Sequence, residues 1–346
     1  MLNTDILLTL RAMVRGAYDL QQLRMQSGLR LCANVRARIT PEDLAKIRDD
    51  DKDEGEDAVE EIEIEPDADE DIDEAAKKKA EDKKKKKIIK IIKAEYRRLT
   101  DGITSKKGQV MMKKLDLTGS PIISTAAEFT LVQSYLALEK QEAKQFRDLT
   151  GTLEEIPIYS QYLRDVVGVG PAMAGVLISY LDPYQARHVS GFWKYSGLDV
   201  DKGSGRSRRE EHLVEREYKA KNGEIKTRLG VTYNPFLKTK LMGVLGPSFL
   251  RAKSPKWRPV YDGYRNRILS DPARIKVTVA AWKKLHKAAD PNLRDHWTPG
   301  RIHTASTRYM VKMFLQELWL TWRTLEGLPV TLPYSEDKLG RPPHAA

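Results

Sequence analysis

The chain has 346 residues, room for about two folded units at roughly 150 residues each, and 60 Lys plus Arg against 49 Asp plus Glu give it a formal net charge of +11. Its single cysteine, Cys32, excludes an internal disulfide and a cysteine-based zinc knuckle. No apolar run approaches the ~18 residues of a membrane span, and Asp5, Arg11 and Arg15 interrupt any signal-like stretch, so a cytoplasmic, reducing location with no membrane partner is expected.

From Asn3 to Arg38, Ile6, Leu10, Met13, Ala17 and Leu20 recur at three-to-four spacing, and Leu31 and Val35 continue the stripe past Gly28. This predicts one amphipathic helix, or two. Next come two opposed charge blocks: Asp49 to Glu74 holds 17 acidic residues and one lysine, and Lys77 to Arg98 holds 12 bases and three acids. Such a composition buries too little apolar surface to offset its ordering entropy, so 49–87 reads as a charged, disordered insert. Its acidic half is a mimic of a polyanion and is suited to covering a basic surface in an autoinhibitory way. Outside the two blocks stand 47 bases and 29 acids, an excess of 18 that points to a nucleic-acid partner.

Thr125 with Glu128 forms a capping box, and Leu131, Tyr135, Leu138, Phe146 and Leu149 draw the stripe of a helix expected to close at Gly151. It suits either a bundle or a coiled coil between copies. After Pro157 the texture turns to glycine, proline and aromatics, which places the main domain boundary there. The run Tyr162-Leu-Arg-Asp-Val-Val-Gly168-Val-Gly170-Pro171-Ala-Met-Ala174 predicts a helix, a Gly-x-Gly turn and a second helix opened by proline. Gly168 and Gly170 allow tight backbone angles and close approach of amides to a phosphate. No strand pattern precedes them and no third glycine follows, which disfavours a dinucleotide-binding loop.

Downstream, Phe192-Trp-Lys-Tyr195-Ser-Gly197-Leu198 leads into Asp201-Lys202-Gly203-Ser204-Gly205-Arg206-Ser207-Arg208-Arg209, a serine in flexible backbone among cations suited to phosphate oxygens. Arg216 to Arg228 alternates around Asn222-Gly223, the signal of a hairpin with a two-residue turn. Arg251, Lys253, Lys256, Arg258, Arg265 and Arg267 interleave with Trp257, Tyr261 and Tyr264, a pattern that serves phosphate contact with base stacking, packing under cations, or a core. Thr304 to Glu326 carries Val311, Phe314, Leu315, Leu318, Trp319, Trp322 and Leu325 on one helical face and stops at Gly327 and Pro329. The six histidines show no pair at metal-ligand spacing; His212, close to the serine loop, is the candidate base.

The order of these motifs, with Gly230 and Asn234 through Leu237-Lys238, resembles the C-terminal domain of the insertion-sequence transposases of the IS-one-ten, one-sixteen and nine-oh-two family, over about Leu163 to Gly327. The resemblance implies a helix-hairpin-helix that holds duplex backbone, a serine nucleophile acting on a DNA phosphodiester, and a guide RNA. By position Ser204 takes the nucleophile's place, with Ser207 the neighbouring alternative. Gly168, Gly170, Lys202, Arg206, Arg208, Arg209, Lys238 and Arg258 are the expected DNA-binding residues. The N-terminal region departs from that family, reading as helix where a strand bearing an aspartate is expected. No cofactor is evident and no metal ligand is assigned; a divalent metal would need acidic ligands from a partner or from a site that the sequence does not display.

The fold expected is mainly α. A helical region covers 1–48, the charged insert 49–87, a helical or coiled-coil-like region 88–156, the transposase-like helix-hairpin-helix domain with a small β-hairpin 157–330, and a tail 331–346. The function expected is DNA transposition or recombination, the alternative a non-catalytic nucleic-acid-binding or regulatory protein derived from such a transposase. Expected partners are DNA, a guide RNA and further copies of the chain.

Overall fold

The computed structural model describes residues 4–46, 72–105, 110–201, 204–278, 281 and 296–331. These are mainly helical, with two small antiparallel two-stranded sheets, and they fall into two units. Of the described residues, one unit contains those up to Arg11 and those from Thr150 onward, and the other those between Ala12 and Leu149.

Three long helices build the unit of Ala12 to Leu149: α1 (Thr4–Val35), α3 (Ile72–Thr100) and α4 (Ala126–Glu154), with the short α2 (Pro41–Lys46) between the first two. Helix α1 is one element of 32 residues, uninterrupted at Gly28, because a Cβ there would stand 3.1 Å from the Tyr135 ring and the missing side chain lets α4 come close. Leu31, Cys32, Val35, Ile88, Ile91, Ile92, Phe129 and Val132 form the core of this unit. The Cys32 thiol is buried there, donates to the Lys85 carbonyl at 3.7 Å, and is pushed up in pKa by burial. Here the composition argument for 49–87 is overturned in part. From Ile72 the chain is helical, and the lysines of this stretch form the leading half of an element whose other half supplies Ile88, Ile91 and Ile92 to the core. Packing of the apolar half carries the polar half into register, since propagating an existing helix is far easier than nucleating one. The acidic stretch before Ile72 lies outside the described residues, as does the tail from 332.

The capping box at the head of α4 forms as expected: the Glu128 amide donates to Thr125 Oγ1 at 3.2 Å and the Thr125 amide to Glu128 Oε2 at 3.3 Å. Arg38 adds a fork on the same carboxylate and, with the Ser124 amide, holds its pKa down at about 2. The helix does not end at Gly151. That glycine has open space around it, and α4 continues to Glu154, where Ile156 turns extended ahead of Pro157.

In the other unit, α5 (Pro157–Ser160) and a 3-10 turn (Leu163–Asp165) precede α6 (Pro171–Tyr180) and α7 (Val189–Tyr195). Strands β1 (Val200–Asp201) and β2 (Ser204–Gly205) pair, then β3 (Val214–Lys219) pairs with β4 (Ile225–Gly230). Helix α8 (Pro235–Lys240) passes through a π-helical turn into α9 (Gly246–Arg251), and α10 (Trp257–Leu269) and α11 (Pro299–Leu325) complete the unit. In the core Phe314 meets Phe249 and Trp257 edge to face and these two rings are tilted on each other, with ring centroids 5.2 to 5.8 Å apart, beside buried Trp319 and Trp322. Helix α11 starts five residues before the expected Thr304: Thr298 caps it through the Arg301 amide and Pro299 takes the first turn.

The β3–β4 hairpin is present, but its turn is longer than the Asn-Gly dipeptide suggests. Ala220 and Glu224 extend the ladder (Ala220 amide to Glu224 carbonyl, 2.8 Å), and the reversal is a turn closed by the Gly223 amide on the Ala220 carbonyl. Gly223 at φ +85° then supplies the left-handed residue that a three-residue loop requires.

Candidate nucleic-acid interface

The Gly-x-Gly turn is real and its two glycines do different things. The Val169 amide closes on the Val166 carbonyl at 2.9 Å with Gly168 at φ +99°, the third position of a type II turn. A Cβ on Gly168 would stand 2.7 Å from Phe249 Cδ1 and 3.2 Å from Phe249 Cα, and Ser248 Oγ donates to its carbonyl at 2.8 Å. Gly168 is therefore committed to packing. Gly170, by contrast, is an exposed, extended N-cap of α6 with nothing within 4 Å of a Cβ. The helix expected before this turn is a correction: Tyr162 leaves helical angles and its hydroxyl donates to Glu317 of α11 at 2.9 Å, so only a 3-10 turn precedes Gly168.

The motifs on either side of the serine loop meet in space. The Asn234 amide donates to the Tyr195 carbonyl at 2.8 Å and its side chain to the Tyr195 hydroxyl at 3.0 Å, while Gly197 at φ +65° accommodates the Tyr233 ring. Asn234 also caps α8 through the Leu237 amide, and that places Lys238 one turn into the helix.

Around Asp199 this framework assembles a group of cations. Arg206 grips the Asp199 carboxylate (Nε 2.9 Å from Oδ1, Nη2 2.8 Å from Oδ2), reaches Asp201 at 3.3 Å and donates to Thr232 Oγ1 at 2.7 Å. Lys238 donates its ammonium to the Arg206 carbonyl and lies 4.6 Å from the Tyr233 ring centroid. From α11 come Arg308, whose guanidinium occupies the space a Cβ of Gly205 would need, and Lys312, one turn on and 4.3 Å above the Trp193 ring. Four cations thus face two carboxylates, and Arg308 Nε is buried with no hydrogen-bond partner among the described residues. Burial, with the Arg308 charge adding to it, pushes the Lys238 pKa down to about 8; burial likewise lowers Arg308 and Lys312. A group held with surplus positive charge in partial desolvation is arranged for an anion.

Ser204 enters the group by its backbone, as the β2 residue paired with Asp201. Lys202 lies outside the described residues. Ser207 is paired with His212: its amide and hydroxyl both lie 3.1 Å from Nδ1, and Nε2 lies 3.2 Å from the Asp201 carbonyl. An amide can only donate, so Nδ1 is the acceptor and the ring proton sits on Nε2. Of the remaining expected residues, Arg208 and Arg209 are exposed beyond the loop, Arg209 3.7 Å from Glu211. Arg258 forms an ion pair with Asp262 at 2.8 Å on α10, away from the loop in sequence and in its contacts.

The interleaved aromatics of 251–267 turn inward. Trp257 and Tyr261 are buried, Tyr261 bonded to His303 Nδ1 at 2.7 Å, while Tyr264 stacks on Tyr309 at 4.2 Å with Arg267 over both rings. They serve as seats for cations and as core, not as free stacking platforms. Asp199, Arg308 and Lys312 escaped the sequence reading. A signal existed in Arg301, Arg308 and Lys312, which fall on one side of α11, but the aromatic stripe beside them dominated the pattern. Among the described residues no group of three or more His, Cys, Asp or Glu stands where it could hold a metal, and no helix is long and apolar enough to cross a membrane. No family model matches the chain, and no curated protein or solved structure matches it either.

Proposed function

We propose that the chain is a DNA-binding protein of transposase type, which holds a phosphodiester over Arg206, Lys238, Arg308 and Lys312 and presents a loop serine to its phosphorus. The observation that carries this reading is the cation group around Asp199, with its surplus positive charge and the bare Nε of Arg308. The phosphate supplies the missing acceptor, and the cations stabilise the charge that grows on its oxygens during displacement. At Ser204, the residue the family resemblance selects, or at Ser207, the one beside a base, the serine oxygen forms a bond to phosphorus as the bond to the leaving nucleotide oxygen breaks. For Ser207 the hydroxyl proton passes to His212 Nδ1, 3.1 Å away.

A second reading, binding without strand transfer, is favoured by the internal contacts that hold the loop: Arg206 on Asp199 and Thr232, Ser207 on His212. Ser204→Ala and Ser207→Ala, assayed for nicking of supercoiled plasmid and for duplex affinity, separate the two. Loss of nicking by about a hundredfold or more in one variant with duplex affinity kept within about twofold identifies the nucleophile. Undiminished nicking in both overturns the nucleophile assignment, and a chain that never nicks but binds supports the second reading.

A further inference from the structure

The hairpin β3–β4 stands out by its exposure among the described residues: eleven of its twelve strand residues are exposed, on both faces. The register Val214↔Gly230, Arg216↔Arg228 and Tyr218↔Lys226 puts Arg216, Arg228, Lys226 and Tyr218 on one face, and Glu215, Glu217, Lys219, Ile225, Thr227 and Leu229 on the other. Two side-chain contacts fix the first face independently. The Arg216 chain lies across Gly230, where a Cβ would stand 3.0 Å from its Cδ, and the Arg228 guanidinium lies 5.2 Å from the Tyr218 ring centroid. Among its six strand residues that face carries three cations and no acid; one acid, Glu224, stands where the ladder extends beyond them, 3.5 Å from Lys226. Arg216 and Arg228 are directly opposed, a like-charge pairing that weakens a sheet. The splay of one towards Gly230 and the other towards Tyr218 relieves the repulsion and spreads the two guanidinium groups along the ribbon.

An unsupported two-stranded ribbon is marginal by itself and gains stability from a surface laid against it. We propose that this ribbon is a second contact with duplex DNA, its Arg216–Lys226–Arg228 face laid on the phosphates at the edge of a groove. Charge complementarity selects the occupant. A strand of six residues spans about 20 Å, a distance over which a duplex offers a dense row of phosphates, and a two-stranded ribbon is narrow enough for the major groove. The acidic residues of the opposite face stay in water, which orients the ribbon. This inference rests on the nucleic-acid reading above and adds a surface to it.

The test is duplex binding as a function of salt. Arg216→Gln/Lys226→Gln/Arg228→Gln in the full chain is compared with wild type and with Lys83→Gln/Lys84→Gln/Lys86→Gln, which removes the same charge from α3; unchanged melting temperature shows that each variant is folded. The ribbon variant is expected to lose about tenfold or more in affinity, with a slope of log K against log salt shallower by about 2 to 3, and the α3 variant to lose less than about threefold. Equal losses in the two variants, or none in the ribbon variant, overturn the ribbon's role alone. A wild-type chain that does not bind duplex at low salt overturns the nucleic-acid reading itself and this inference with it.

Discussion

At Gly168 two constraints coincide, a left-handed φ of +99° and the Phe249 backbone at 3.2 Å, whereas Gly170 meets neither. Gly168→Ala is therefore expected to destabilise the protein by about 2 to 4 kcal/mol in denaturant unfolding, and Gly170→Ala to change it by no more than about 0.5 kcal/mol. Equal effects would mean that the turn is not held by Phe249. Arg308 offers the opposite signature. Its Nε is buried without a partner, so Arg308→Met is expected to stabilise the free protein by about 1 kcal/mol while making the salt slope of duplex binding shallower by about 0.9. A residue kept for packing would lose stability on that change. Glu128 carries a pH dependence of determinate sign: its carboxyl is held at about 2 against 4.5 in the unfolded chain, so the unfolded state takes up the proton first as pH falls. The contribution of the Arg38 pair, about 1 kcal/mol for partly exposed partners, is complete above about pH 5 and lost towards pH 2, and Glu128→Gln is expected to flatten the melting temperature across that window.

At the scale of elements, signals written in neighbouring residues were legible. The Thr125–Glu128 box, Pro171 after the glycines, Gly327 after the last helix and the alternation of β3 and β4 each describe a local backbone choice, and each is found in place. What was not legible depends on contacts far along the chain. The stretch from Ile72 is helical because α3's isoleucines pack on α1 and α4, and α4 runs through Gly151 because a glycine in open space is only weakly unfavourable. The helix before Gly168 shrinks to a 3-10 turn because Tyr162 reaches Glu317, 155 residues away. The candidate site divides the same way. Arg206 came from local pattern and Lys238 from the family resemblance, but Arg308 and Lys312 joined them only through the placement of α11 against Gly205 and Trp193.

For the whole molecule, net charge is a poor guide until it is known where charges are already neutralised. In the unit of Ala12 to Leu149 three bases of the block have acidic partners: Lys93 has Glu139 at 2.8 Å, Lys85 has Glu81 and Asp82, and Arg98 has Glu95. In the other unit four cations share Asp199 and Asp201, and the ribbon face has no acid among its six strand residues. The surplus of bases lies after Thr150 by composition, 32 bases against 19 acids there and 28 against 30 before it, and the fold gathers part of it at Asp199 and on the ribbon. The buried Cys32 has a use that follows from its being the sole thiol. Shut between α1 and α3 and protonated by its surroundings, it is inert to alkylating reagents until its own unit opens. Its labelling rate is a built-in clock for that unit alone, and set beside tryptophan fluorescence, which arises wholly from residues after Thr150, it tells whether the two halves of the chain melt together or one at a time.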